Sequence, residues 1–212
     1  MLFKDYKIQE FIEDLSSDSP SPGGGSTAAL VAALSGCLNS MVYSLTVGKK
    51  SFDNLDSDKR ECLIKFAEEC SEFTKLTIVM MEEDRKCFNE LMASYKLPKE
   101  SEEEKEYRKK DIKEKTNGAM NAPLNLLRAC IKFYDNILFA AKYGNKMLVS
   151  DAGVSAILLH AAIESAIINV KINLNSLKGE DFYKDIDEEL EDSNMKSLRL
   201  KSEILMIVDE NM

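Results

Sequence analysis

From Thr27 to Val47 the chain runs 21 residues without one charged side chain. That length reaches across a bilayer, but Ser35, Asn39, Ser40, Ser44 and Thr46 interrupt the apolar run and make it a poor insertion sequence. The segment therefore reads as a helix enclosed by other helices. Its small residues (Ala28, Ala29, Ala32, Ala33, Ser35, Gly36, Ser40) predict close approach of those neighbours. Such a helix constrains everything around it, because the rest of the chain must supply apolar helical faces to cover it.

The remaining sequence supplies them. Ile8, Phe11, Ile12 and Leu15 mark one face of a short first helix, which ends in the Ser16–Pro22 stretch. From about Asp56 to Tyr95, a seam of Leu63, Phe66, Cys70, Phe73, Thr77, Met80, Asp84, Cys87 and Leu91 alternates three and four residues apart. Leu97-Pro98 breaks that helix. Lys99 to Gly118 is densely charged and reads as a solvated face with pairs Glu104/Arg108, Glu106/Lys110 and Asp111/Lys115, to which no function is assigned. Pro123 predicts a kink or boundary in the next apolar pattern. Ser150 to Leu177 is apolar nearly all round and reads as a central helix, and an amphipathic stretch after Gly179 closes the chain. No strand alternation of useful length occurs. The expectation is all-α: one domain over residues 1–212, an up-and-down helical bundle with long antiparallel helices.

Composition removes several function classes. A formal net charge of −9 argues against general attraction to nucleic acid or to an anionic membrane. His160 is the one histidine, which excludes multi-histidine metal centres, and no metal site is expected. The five cysteines contain no CxxC and read as reduced core thiols. Lys4, Asp5 and Lys7 stand where an export signal needs an apolar run, so a cytoplasmic protein is expected.

Three constellations carry chemistry. Pro22, Gly23, Gly24, Gly25 and Ser26 open the uncharged helix, where free amides without obstructing side chains bind anionic groups; the plain reading is a linker with Ser26 as N-cap. Asp84 interrupts an apolar seam, either paired with Arg128 or Lys132 or used as a proton carrier. Asp151, after Ser150, stands at the start of the central helix, where Ser150 can cap and an acid complements the dipole. Asn169 and Asn173 share a helical face and either bond a neighbouring helix or orient a polar heterocycle. His160 reads as a satisfied core residue.

These residues also carry a resemblance. Pro20-Ser21-Pro22-Gly23-Gly24-Gly25-Ser26, then Met41-Val42, Leu45-Thr46 and Gly48-Lys49-Lys50, resemble the cyclodeaminase/cyclohydrolase family. That family comprises the C-terminal domain of formiminotransferase-cyclodeaminase and its free-standing bacterial relatives. Asp84-Arg85-Lys86-Cys87-Phe88, Ala122-Pro123, Asn145, Ser150-Asp151 and Asn169 with Asn173 match it in order over nearly the whole chain. The resemblance implies an all-helical homodimer, of the free-standing kind, acting on tetrahydrofolate one-carbon units without a further cofactor.

Two reactions are implied at the carbon between N5 and N10. One is cyclisation of 5-formimidoyltetrahydrofolate to the 5,10-methenyl form with loss of ammonia. The other is hydrolysis of the methenyl form to 10-formyltetrahydrofolate. Asp84 and Asp151 become the expected catalytic acids. Pro22 to Ser26, Lys49, Lys50, Asn145, Ser150, Asn169 and Asn173 become the expected substrate contacts, with the two lysines meeting the glutamyl tail. A reading from another class stays open beside it, in which a non-catalytic interaction bundle uses the polar seam positions only to fix helix register.

Overall fold

The computed structural model describes all 212 residues, and they form helices joined by short turns, with no strand. A 3₁₀ turn at Phe3–Asp5 precedes α1 (Ile8–Leu15). Then come α2 (Gly24–Ser44), the single-turn α3 (Lys50–Asp53), α4 (Ser57–Ser94), α5 (Glu102–Tyr143), α6 (Val149–Leu174) and α7 (Tyr183–Asp209). The expected all-α bundle is what the chain forms.

The uncharged segment is α2, and it lies between α4 and α6, antiparallel to both. Ser26 meets Asp84 at one end of the α2–α4 pair, while Asn39 meets Cys70 further along. On the other side, the hydroxyls of Ser35 and Ser155 each reach the other residue's backbone carbonyl, at 2.8 and 2.9 Å. Helix α5 closes the four-helix core opposite α2, and α7 packs on the α5–α6 side through Tyr134, Ser197 and His160. Both α2 and α6 are long and apolar enough to cross a membrane, yet each has its major face inside this core.

Close approach is achieved by leaving side chains out. A Cβ on Gly36 would stand 2.6 Å from Thr74 Oγ1 and 3.0 Å from a Phe73 ring carbon. One buried polar cluster fixes the register. Asn136 Oδ1 accepts from Asn39 Nδ2 (2.7 Å) and from the Cys70 thiol (3.2 Å), and its Nδ2 donates to the Phe66 carbonyl (2.9 Å). Helices α2, α4 and α5 can satisfy these groups together in only one alignment. Phe73 and Phe133 stack with centroids 3.9 Å apart and seal the α4–α5 contact.

Several expectations change. The helix does not break at Pro123; α5 runs 42 residues straight past it. Ser101 and Glu104 form a capping box at its start. The expected charge pairs within the 99–118 stretch do not form. Arg108 donates to the Tyr95 carbonyl, Asp111 accepts from the Ser94 hydroxyl and Lys115 pairs with Glu90, so much of that charge fastens α5 to α4. Of the five thiols, Cys70 and Cys130 are buried, whereas Cys37 and Cys62 are exposed because their helical phase faces outward.

The Gly36 contact gives a direct test. Gly36→Val should destabilise the bundle by about 1–3 kcal/mol through overpacking. Urea denaturation of the variant beside the wild type reads this, and an unchanged midpoint would show that α2 and α4 can separate freely.

Candidate functional site

The first turn of α2, the middle of α4 and the last turns of α6 converge on one pocket of about 420 Å³. Gly23 is the helix N-cap, in extended conformation, so Ser26 is not the cap as expected. Gly24 and Gly25 carry N–H groups with no intrahelical acceptor and line the pocket, together with Asp84, Asn169 and Asn173. With Gly23, which also lines the pocket, six of the expected site residues are thus brought together by three helices.

Ser26 lies behind the pocket rather than in it. It is fully buried, and its hydroxyl donates to Asp84 Oδ2 at 2.9 Å. Pro22 is likewise buried beneath the loop. The other carboxylate oxygen of Asp84 stands where a side chain on Gly25 would be: a methyl there would overlap Oδ1. A Cβ on Gly24 would meet only the Asn169 amide at 3.3 Å, so the tighter constraint falls on Gly25.

Asp84 has no cationic partner. Arg128, a candidate from sequence, is held by Glu189 through two bonds of 2.7 and 2.6 Å, and the neighbouring Arg85 turns to Glu82 and the Met1 carbonyl. Burial raises the Asp84 carboxyl above the usual carboxylate range, while hydrogen bonding from Ser26 opposes the shift. A half-buried carboxyl with one oxygen anchored, the other facing a cavity and no counter-ion is suited to exchange a proton or to face a cation.

Pro123 acquires a role through the pocket. A proline at this position has no N–H for the carbonyl four residues earlier, that of Ala119. The freed carbonyl accepts the side-chain amide of Asn173 at 3.2 Å, and Asn173 Nδ2 also reaches the Asn169 carbonyl at 3.0 Å. Asn169 Nδ2 in turn donates to the Ser165 carbonyl at 2.8 Å. Both amides are anchored by their nitrogens, and their oxygens accept no bond from the protein. The helix-breaking residue thereby becomes a device for fixing a pocket side chain.

The remaining expected residues gather at the other end of α2, roughly 30 Å away for a 21-residue helix. Asn145 caps the 3₁₀ turn Lys146–Leu148, donates its side-chain amide to the Leu45 carbonyl at 3.1 Å, and donates its backbone N–H to the Thr46 hydroxyl oxygen at 2.9 Å. Ser150 is exposed inside the first turn of α6, which starts at Val149, so it does not cap that helix. Asp151 is half-buried in the same turn. Lys49 and Lys50 are exposed beside α3. A single chain does not bring these five to the glycine pocket. Conversely, Phe88, Met92, Tyr95 and Ser176 line the pocket although sequence reasoning gave them no such place. Phe88 and Met92 are one turn and two turns beyond Asp84 on α4, a helical spacing that was visible in the sequence.

A family model described as formiminotransferase-cyclodeaminase matches residues 7–192. The chain is 36% identical over 185 residues to a methenyltetrahydrofolate cyclohydrolase of Methylorubrum extorquens, covering 87% of this chain and 86% of that protein. It is 33% identical over 178 residues to the formimidoyltransferase-cyclodeaminase of Rattus norvegicus, covering 84% of this chain but only 32% of that longer protein. The crystal structure of a formiminotetrahydrofolate cyclodeaminase from Thermotoga maritima superposes with a TM-score of 0.84 and 25% identity, covering 98% of each chain.

If Gly25 is what lets Asp84 reach the pocket, Gly25→Ala should push that carboxylate aside while the bundle remains folded, since the displaced atoms are the end of one side chain. The expected outcome is a loss of folate binding or turnover of at least about tenfold with a nearly unchanged melting temperature, measured by calorimetry and assay together. A fully active Gly25→Ala protein would remove Asp84 from the site.

Proposed function

Since the chain belongs to the formiminotransferase-cyclodeaminase family, we propose that the glycine pocket takes a tetrahydrofolate bearing a one-carbon unit and cyclises 5-formimidoyltetrahydrofolate to the 5,10-methenyl form, releasing ammonia. The observation that carries this reading is the carboxyl of Asp84, without a cationic partner, lining one cavity with the side chains of Asn169 and Asn173. N10 must shed a proton as it attacks the formimidoyl carbon, and the departing nitrogen must gain one. Asp84, with its carboxyl raised by burial above the usual carboxylate range, can accept the first proton and deliver the second. Ionised, it also faces the amidinium-like methenyl product with opposite charge. The pterin ring presents N–H donors, and the oxygens of Asn169 and Asn173, which accept no bond from the protein, are the acceptors this reading assigns to them.

The reverse end of the same chemistry is a second reading. The Methylorubrum extorquens relative, matched over nearly its full length, is named for methenyl hydrolysis. A carboxylate that stabilises the methenyl cation and activates water at the same carbon would serve that reaction in the same pocket. Parallel assays of ammonia release from formimidoyltetrahydrofolate and of methenyltetrahydrofolate hydrolysis separate the two. Thermal stabilisation by folate separates both from a non-catalytic bundle.

Asp84→Asn should lower turnover by roughly 10²–10⁴-fold while folate still binds. It should also stabilise the fold at neutral pH. The folded protein holds the Asp84 proton to higher pH than the unfolded chain, so stability falls as pH rises from the usual carboxylate value through the raised folded value. The asparagine variant escapes that loss, and its advantage should vanish in acid where both side chains are neutral. Normal turnover in Asp84→Asn would refute the assignment.

The proposal extends to assembly and setting: a cytoplasmic homodimer with no nucleic-acid, membrane or further cofactor requirement. Leu34 and Met41 on α2 and Val154 and Ile157 on α6 stand exposed on two adjacent helices, a large apolar face for one chain to leave open. Light scattering at micromolar concentration should give twice the chain mass, and Leu34→Glu/Ile157→Glu should give monomers. A monomeric wild-type protein would refute it.

A further inference from the structure

Arg85 follows Asp84 directly on α4, and it is the one cationic residue among those lining the glycine pocket, as Asp84 is the one acid. Its guanidinium is nevertheless engaged elsewhere. Nη1 donates to the Met1 carbonyl at 3.0 Å and stands 3.6 Å from a Glu82 carboxylate oxygen. The guanidinium carbon lies 4.5 Å from the centre of the Phe3 ring, a cation–π contact. All three contacts involve the N-terminal 3₁₀ turn or the acid that fastens it. Phe3 is buried, packs edge-on against Tyr6 and Phe11, and donates its N–H to Glu82. Glu82 thus ties down the turn and the arginine together.

The nearer use of this charge is left unmade. Side chains one residue apart on a helix do not face each other, so Arg85 reaches Asp84 only through the cavity that both line. The other groups around Asp84 carry no positive charge. Helices α2 and α6 face it with Gly25, Ser26, Asn169 and Asn173. On α4 the Cys87 thiol lies beside it, with Glu83, Lys86 and Glu90 grouped around that thiol. Around Arg85 stand Glu82 on α4 and Tyr6 from the N-terminal side, with Asp14 and Glu10 of α1 beyond Tyr6.

We propose that the N-terminal turn is a clamp that keeps Arg85 out of the glycine pocket, with Phe3, Glu82 and Arg85 acting as positioning residues for the Asp84 carboxyl. The inference rests on the reading of Asp84 as the working acid, and supplies the reason that acid has no counter-ion. Clamped, the pocket's cation is occupied by a backbone carbonyl, a carboxylate and an aromatic face. Released, it enters the cavity and holds Asp84 ionised to lower pH, removing the protonated form that the departing nitrogen needs.

The test is the titration of Asp84, followed by carbon-13 NMR of its carboxyl, in the wild-type protein and in variants that open the clamp from two sides. Phe3→Ala removes the aromatic face, and Glu82→Gln removes the carboxylate while leaving the buried ring in place. Each should lower the pH at which Asp84 titrates by about one unit or more. Adding Arg85→Gln to either variant should return the titration to its wild-type position, which also controls for the lost charge of Glu82. An unmoved titration in both folded variants, or a change that persists with Arg85→Gln, overturns the clamp and leaves Asp84 standing as the working acid. The pH dependence of ammonia release from formimidoyltetrahydrofolate should move with the titration in the same variants. A titration that moves while the pH dependence of turnover stays fixed overturns the reading of Asp84 as proton carrier, and the role of the clamp with it.

Discussion

A helix without charge and with almost no side-chain bulk has to be enclosed, and α2 imposes that requirement on the whole molecule. Its alanines, serines and glycines offer little apolar area of their own, so stability comes from letting neighbours approach its backbone. At Gly36 the approach admits Thr74 and Phe73; at Gly25 it admits the carboxylate of Asp84. The same absence of side chains that packs the core at one point therefore opens the candidate site at another. Helices α4 and α6 are held antiparallel along α2, and this brings one acid and two amides around its free N-terminal amides.

The pocket is built from groups whose local bonds have been displaced. Ser26 sits in the first turn of α2, yet its hydroxyl serves Asp84 on another helix. Pro123 withholds a donor from the Ala119 carbonyl, and Asn173 takes that carbonyl from α6. Each substitution trades a bond within a helix for one between helices, which is how side chains gain fixed positions in a cavity. Asp84 is the exception, since nothing cationic compensates its burial. Its raised carboxyl is the physical consequence of that uncompensated burial, a state suited to exchanging a proton or facing a cation.

Much of this was legible beforehand. The Leu63–Leu91 seam marked Asp84 as an anomaly without any fold, because an acid among core positions breaks a three-and-four repeat. The spacing of Asn169 and Asn173 placed them on one face. Other features were opaque for specific reasons. Pro123 reads locally as a break, since its acceptor's new donor lies 50 residues further on. The charged 99–118 stretch reads as solvated pairs, because the sequence does not show that Ser94, Tyr95 and Glu90 lie alongside. Gly24 and Gly25 are indistinguishable as letters, and only the direction of Asp84 separates them.

The sequence by itself determined the helices, their order and the sharing of one core, because periodic apolar faces and an uncharged segment admit little else. It also determined which residue types were available for chemistry: one histidine, a conspicuous acid and a pair of amides. Tertiary structure alone decided which of them meet. Antiparallel packing put Gly24, Gly25, Asp84, Asn169 and Asn173 around one pocket, and the length of α2 carried Lys49, Lys50, Asn145, Ser150 and Asp151 to the other end. The physical reason is that helix periodicity is local, set by residues three and four apart. Adjacency across a bundle depends instead on where each turn reverses the chain and on which buried polar groups fix the register.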